Sequence, residues 1–107
     1  MEGDLVTQIR QEISTTPVVV YSKTWCGFCS RAKSALSDLN VEFKAIELDL
    51  VGNGQQIQNS LENITRQRTV PNIFIGGEHV GGCSELMQGL KNGKVRELFQ
   101  KNSIQFS

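Results

Sequence analysis

A chain of 107 residues is long enough to bury one apolar core but not two, which predicts a single domain over residues 1–107. Hydrophobic residues make up 38% and charged residues 21%, with two prolines, a balance that excludes a fibrous or disordered chain. Eleven basic residues offset eleven acidic ones, so the positive excess that neutralises phosphates is missing and no nucleic-acid partner is expected.

Leu5, Val6, Ile9 and Ile13 recur at helical spacing, so residues 4–14 read as a short amphipathic helix stopped by Pro17. The acidic start Met1-Glu2-Gly3-Asp4 does not read as a leader peptide. The longest apolar run, Val18-Val19-Val20-Tyr21, is far too short to cross a bilayer. A cytoplasmic protein with no membrane partner is expected. That same run is continuous and β-branched, the pattern of a strand buried on both faces. Ser22 to Trp25 form a polar loop. Beyond Cys26, the residues Cys29, Ala32, Leu36 and Leu39 fall three, four and three apart, marking the buried stripe of a helix whose first turn holds two cysteines.

Val41 to Leu48 mixes apolar and polar positions and reads as a second strand. Gly52-Asn53-Gly54 is a turn, and Ile57, Leu61 and Ile64 carry a third helix. Val70-Pro71-Asn72-Ile73-Phe74-Ile75 reads as the third strand, with the proline at its start where a missing N–H is tolerated. Gly76-Gly77 signals a tight hairpin, Glu78 to Val80 a short fourth strand ended by Gly81-Gly82. From Ser84 onward Leu86, Leu90, Val95, Leu98 and Phe99 support one or two helices, broken near Asn92-Gly93. The order helix, strand, helix, strand, helix, strand, strand, helix implies an α/β protein. Its four-stranded mixed sheet carries helices on both faces, the shape of a thioredoxin-like fold.

Three cysteines, Cys26, Cys29 and Cys83, are an odd number, which argues against a secreted disulfide framework. The thiolate is the nucleophile, and an ordinary cysteine has a pKa of about 8.5. Unpaired N–H groups and the dipole at a helix start favour the anion and bring such cysteines to roughly 3.5–7.5; Lys23 adds a positive charge nearby. Cys26 is the expected attacker. Cys29, one turn on and within the apolar stripe, is the expected resolver. The alternatives for this pair are a structural disulfide, or a zinc half-site completed by His79 and Cys83. Against zinc, the stripe buries Cys29 in a helix while the other two residues flank a hairpin.

Three motifs then become specific: Ser22-Lys23-Thr24-Trp25-Cys26-Gly27-Phe28-Cys29, Arg68-Thr69-Val70-Pro71 and Gly81-Gly82-Cys83-Ser84. With these in this order and spacing, nearly the whole chain resembles the glutaredoxins. The resemblance implies a glutathione-dependent reductase acting on glutathionylated proteins and small disulfides. In that reading the Val70–Pro71 bond is cis and the Val70 backbone pairs with the cysteinyl backbone of glutathione beside Cys26, with Thr69 and Pro71 also among the glutathione-binding residues. Lys23 and Gln67 hold the glycyl carboxylate, with Arg68 as helper. The γ-glutamyl carboxylate meets the backbone and hydroxyl at Gly82, Cys83 and Ser84, and Phe28 adds apolar contact. For Ser84 the bland alternative is a plain helix N-cap.

The sequence departs from the commoner family pattern in having Gly27 for proline, Phe28 for tyrosine and Ser84 for aspartate. Cys-Gly-Phe also resembles members that hold a [2Fe–2S] cluster through Cys26 at a dimer interface, with glutathione as extra ligand. The implied protein is a monomer, or a cluster-bridged homodimer, whose enzymatic form needs no metal. Thioredoxin is the nearest enzymatic rival, but its proline stands where this chain has Phe28 and its buried acid where this chain has Val20.

Overall fold

The structure, a computed structural model, describes residues 2–107. Helix α1 (Glu2–Thr15) ends two residues before Pro17, which fixes its own φ and biases Thr16 away from helix. Strand β1 (Val18–Ser22) has all five residues buried; it extends one residue past the apolar run and takes Ser22 out of the expected loop. Helix α2 (Gly27–Asp38) follows Cys26 directly.

Strand β2 (Lys44–Glu47) is half the length of its expected span. The Val41 N–H bonds Leu36 O at 3.0 Å and so closes α2, while Phe43 packs on the core without pairing. The apolar residues of 41–43 therefore serve the core rather than a ladder. Helix α3 (Gly54–Thr65) comes next.

Strand β3 (Asn72–Ile75) starts one residue after Pro71, not at Val70. A proline cannot donate to a ladder, and the Val70 carbonyl is turned toward Cys26 instead. Gly76 and Gly77, with φ of 59° and 83°, make the two-residue turn that L-residues resist. They lead into β4 (Glu78–Gly81). Helices α4 (Cys83–Asn92) and α5 (Lys94–Lys101) are separated by Gly93 at φ 88°.

The four strands lie in the order β2-β1-β3-β4. β1 runs parallel to β2 and antiparallel to β3, and β3 and β4 form the hairpin. Alternation along β1 sends Val18 and Val20 to one face and Val19 and Tyr21 to the other. The first pair packs with Ala32, Leu36, Leu86, Val95 and Phe99 from α2, α4 and α5; the second packs with Ile9, Ile13 and Leu61 from α1 and α3. Each fully buried aliphatic or aromatic side chain contributes about 1.5–3 kcal/mol. The mixed sheet with helices on both faces is the thioredoxin-like fold. Because β1 is central and buried on both faces, it delivers the following loop and Cys26 to one end of the sheet on a rigid support.

Candidate active site

Cys26 is the N-cap of α2, with φ −85° and ψ 118°. Its Sγ accepts the Cys29 N–H at 3.2 Å, the bond a serine oxygen makes in that place. Negative charge developing on this sulfur therefore meets an aligned donor and the positive end of a helix. The thiol also donates toward the Val70 carbonyl at 3.7 Å. Its surroundings stay open: Trp25 is 72% and Phe28 62% exposed.

A Cβ on Gly27 would meet nothing within 4 Å, Gly27 is the first residue of α2, and the Cys26 ψ already suits a residue preceding proline. Gly27→Pro should therefore raise unfolding free energy by about 0.4–1 kcal/mol, read from urea midpoints, because proline at the first helical position restricts only the unfolded chain.

Cys29 has no exposed surface. Burial, reinforced by the Cys26 sulfur, pushes its thiol from the ordinary 9.0 up to about 11. The folded state thus holds this proton more tightly than the unfolded one. The resulting stability is complete below pH 9 and is lost as pH rises toward 11, a fall of about 2–3 kcal/mol. Denaturant titrations from pH 8 upward should show this slope in the wild type and a shallower one in Cys29→Ala. Burial of Tyr21, whose hydroxyl is also pushed upward, adds to the loss in both proteins at higher pH.

The Val70–Pro71 bond is cis, and the loop around it is held by side chains. Gln58 Nε2 donates to Arg68 O at 2.7 Å. Gln67 Nε2 donates to Thr69 O at 3.0 Å and to Pro71 O at 2.9 Å. Together with the Cys26 thiol on Val70 O, these bonds occupy four successive carbonyls. Thr65 Oγ1 accepts the Gln67 N–H at 3.0 Å and anchors the loop to the end of α3.

Gly82 brings the third segment in. A Cβ there would lie 3.5 Å from Pro71 O and 3.9 Å from Gln67 Nε2, so the start of α4 adjoins the loop. Gly82, not Ser84, is the N-cap of α4, and its N–H is bonded by the Glu85 carboxylate at 2.7 Å. Ser84 is exposed in the first turn beside buried Cys83. The residues singled out in the three motifs thus converge from the β1–α2 loop, the α3–β3 loop and the β4–α4 junction.

Three of them stand otherwise than as simple ligand contacts. Gln67 has both amide N–H groups on carbonyls of its own loop. Arg68 pairs with Glu62 at 2.9 Å. Lys23 Nζ lies 5.5 Å from the Trp25 ring centre, the range of a cation–π contact.

Two braces lie outside the motifs. Asp49 accepts the Thr24 N–H at 3.0 Å and the Thr24 hydroxyl; that hydroxyl above all holds its carboxyl below the usual range. Gln58 is the other. Its signal was present in the sequence: it occupies a core position of α3, three residues before Leu61, where a polar side chain is unusual unless bonded.

Among the described residues no group of three or more His, Cys, Asp or Glu is placed to hold a metal ion; His79 instead bonds Asn72 Oδ1 at 2.9 Å. All three cysteines are free thiols. No helix among the described residues is long and apolar enough to cross a membrane.

The family model described as Glutaredoxin matches residues 18–80. The chain is 46% identical over 91 residues to Glutaredoxin-C1 of Arabidopsis thaliana, covering 85% of this chain and 73% of that one. It is 48% identical over 91 residues to the chloroplastic Monothiol glutaredoxin-S12 of the same plant, where it spans 84% of itself but only 51% of the relative. The crystal structure of a buckwheat glutaredoxin–glutathione complex superposes with a TM-score of 0.93 at 38% identity, covering 97% of this chain and 94% of that one.

Proposed function

The chain belongs to the glutaredoxin family and is a glutathione-dependent thiol oxidoreductase, and from that premise we propose that Cys26 removes glutathione from protein–glutathione mixed disulfides and reduces small disulfides. The observation that carries this reading is the seat of its sulfur. It caps α2, accepts the Cys29 N–H at 3.2 Å, and faces the Val70 carbonyl at 3.7 Å.

Cys26 Sγ attacks the glutathionyl sulfur. The substrate leaves as its thiol and glutathione stays on Cys26. A second glutathione then attacks that disulfide, releasing glutathione disulfide and the free Cys26. Once Sγ is in a disulfide it has no proton to donate, so the Val70 carbonyl is released to accept from the ligand backbone, as an added strand does. The donors at Cys83 and Ser84 offer an anion site for one glutathione carboxylate. Lys23 supplies the positive charge for the other, helped by Gln67 and Arg68 where each gives up a present partner. Phe28 is the exposed apolar wall.

The test is a disulfide-reductase assay coupled to glutathione reductase, using a glutathionylated protein and bis(2-hydroxyethyl) disulfide as substrates. Turnover that saturates with glutathione supports the reading. Turnover driven by thioredoxin reductase with no need for glutathione overturns it.

A further inference from the structure

Among the described residues, two buried side-chain oxygens have no hydrogen-bond partner: Ser22 Oγ and Glu47 Oε1. Buried polar atoms are rarely left so, and these two are not scattered. Ser22 and Glu47 are directly paired across the parallel strands β1 and β2, so their side chains leave the sheet on the same face. It is the face of Val18 and Val20, on which α2 packs. Ser22 is fully buried. Its hydroxyl lies beside the Cys29 thiol and works against the rise that burial imposes there. The other Glu47 oxygen takes Lys33 Nζ at 2.9 Å, and Lys33 stands four residues beyond Cys29, one turn along the same face of α2. The ion pair uses one carboxylate oxygen and leaves the second, Oε1, without a partner.

This cell sits behind a group with a problem to solve. To resolve a mixed disulfide at Cys26, Cys29 must shed its proton, yet it has no exposed surface from which bulk water could take it. We propose that Ser22 and Glu47 form the proton exit of the resolving thiol: Ser22 Oγ accepts the Cys29 proton as it passes its own, through one water, to Glu47 Oε1. The inference rests on the reading of Cys26 as nucleophile and extends it to the second half of the reaction.

The step balances. The electron pair of the Cys29 S–H bond becomes the new Cys29–Cys26 bond. The pair of the bond between Cys26 and the bound thiol leaves with that thiol as its anion. The proton passes to the Glu47 carboxylate and from there to solvent at the Lys33 side. Cys26 and Cys29 are oxidised together and the departing thiol is reduced. The titratable and charged groups around the cell are Lys33 and Cys29 on α2, Glu47 on β2 and the Cys26 thiol. Lys23 and Asp49 stand just past the ends of β1 and β2. Ser22 acts on the reacting thiol; Glu47 acts through Ser22 and is a positioning residue in that sense.

The experiment loads Cys26 of the full chain with thionitrobenzoate as a mixed disulfide and follows its coloured release by Cys29. Ser22→Ala and Glu47→Gln should each slow release about tenfold or more at neutral pH. In both variants the rate should climb with hydroxide until it approaches wild type, because hydroxide then does the work of the carboxylate. Glutathione-dependent deglutathionylation, which does not use Cys29, should stay within twofold of wild type. Release at the wild-type rate with the wild-type pH profile in both variants overturns the proposal. So does a parallel loss of both activities, which marks the cell as structural support. If Glu47→Gln fails to fold, Ser22→Ala decides alone. Failure of the underlying reading looks different: no adduct forms at Cys26, and both ideas fall.

Discussion

Cys26→Ser is expected to lower glutathione-dependent reductase activity by at least about a thousandfold, to the assay background, because a serine hydroxyl is neither ionised nor a disulfide-forming atom at neutral pH. The fold should be untouched. Serine is a better N-cap than cysteine, so the bond from the Cys29 N–H at 3.2 Å survives with oxygen as acceptor, and the urea midpoint should stay put or rise. Cys29→Ser should behave in the opposite way. Deglutathionylation persists, since a second glutathione can resolve the intermediate, while reduction that proceeds through a Cys26–Cys29 disulfide is lost. Normal turnover by Cys26→Ser, with the substitution verified by mass, would remove the chemical basis of the reading.

Gly54→Ala should be the most damaging small substitution for stability. A Cβ at Gly54 would lie 1.8 Å from Leu48 O and 2.8 Å from its carbonyl carbon. Both are backbone atoms, so no side chain can swing aside. The start of α3 or the end of β2 must move. Overpacking a rigid site typically costs about 1–3 kcal/mol and sometimes more, and this contact belongs at the upper end: an unfolding loss of about 3 kcal/mol, or an apparent Tm lower by more than about 10 °C. The effect should reach the active site, because Leu48 precedes Asp49, which tethers Thr24 two residues before Cys26. Thermal denaturation paired with the reductase assay checks both. An unchanged Tm would mean that the α3 start is more pliant than the buried contact implies.

What the sequence made legible was local. Cys26 and Cys29 announced a helix start because the second cysteine falls in register with Ala32 and Leu36, and the buried residues of α2 are these three. Gly76-Gly77 announced the hairpin because only that turn needs two residues at positive φ. The errors arose where long-range packing overrode pattern. Val41 and Phe43 have the apolarity of a strand but close a helix and pad the core, so β2 came out short. Val70 and Pro71 have strand composition, yet the loop turns their backbone to the nucleophile. The motifs marked the three segments that meet at Cys26. They gave no sign of Asp49 or the Ser22–Glu47 pair, because each of those works through a partner distant in sequence, and a single chain of letters records no pairing.

The four carbonyls of residues 68–71 are occupied before any ligand arrives, three of them by side-chain amides of the chain itself. Ordering a loop at the moment of association costs roughly 0.5–1.5 kcal/mol for each immobilised side chain. Here that ordering is accomplished when the chain folds. A tripeptide entering the groove meets a finished template, and its residence is governed by its own flexibility rather than by the protein's.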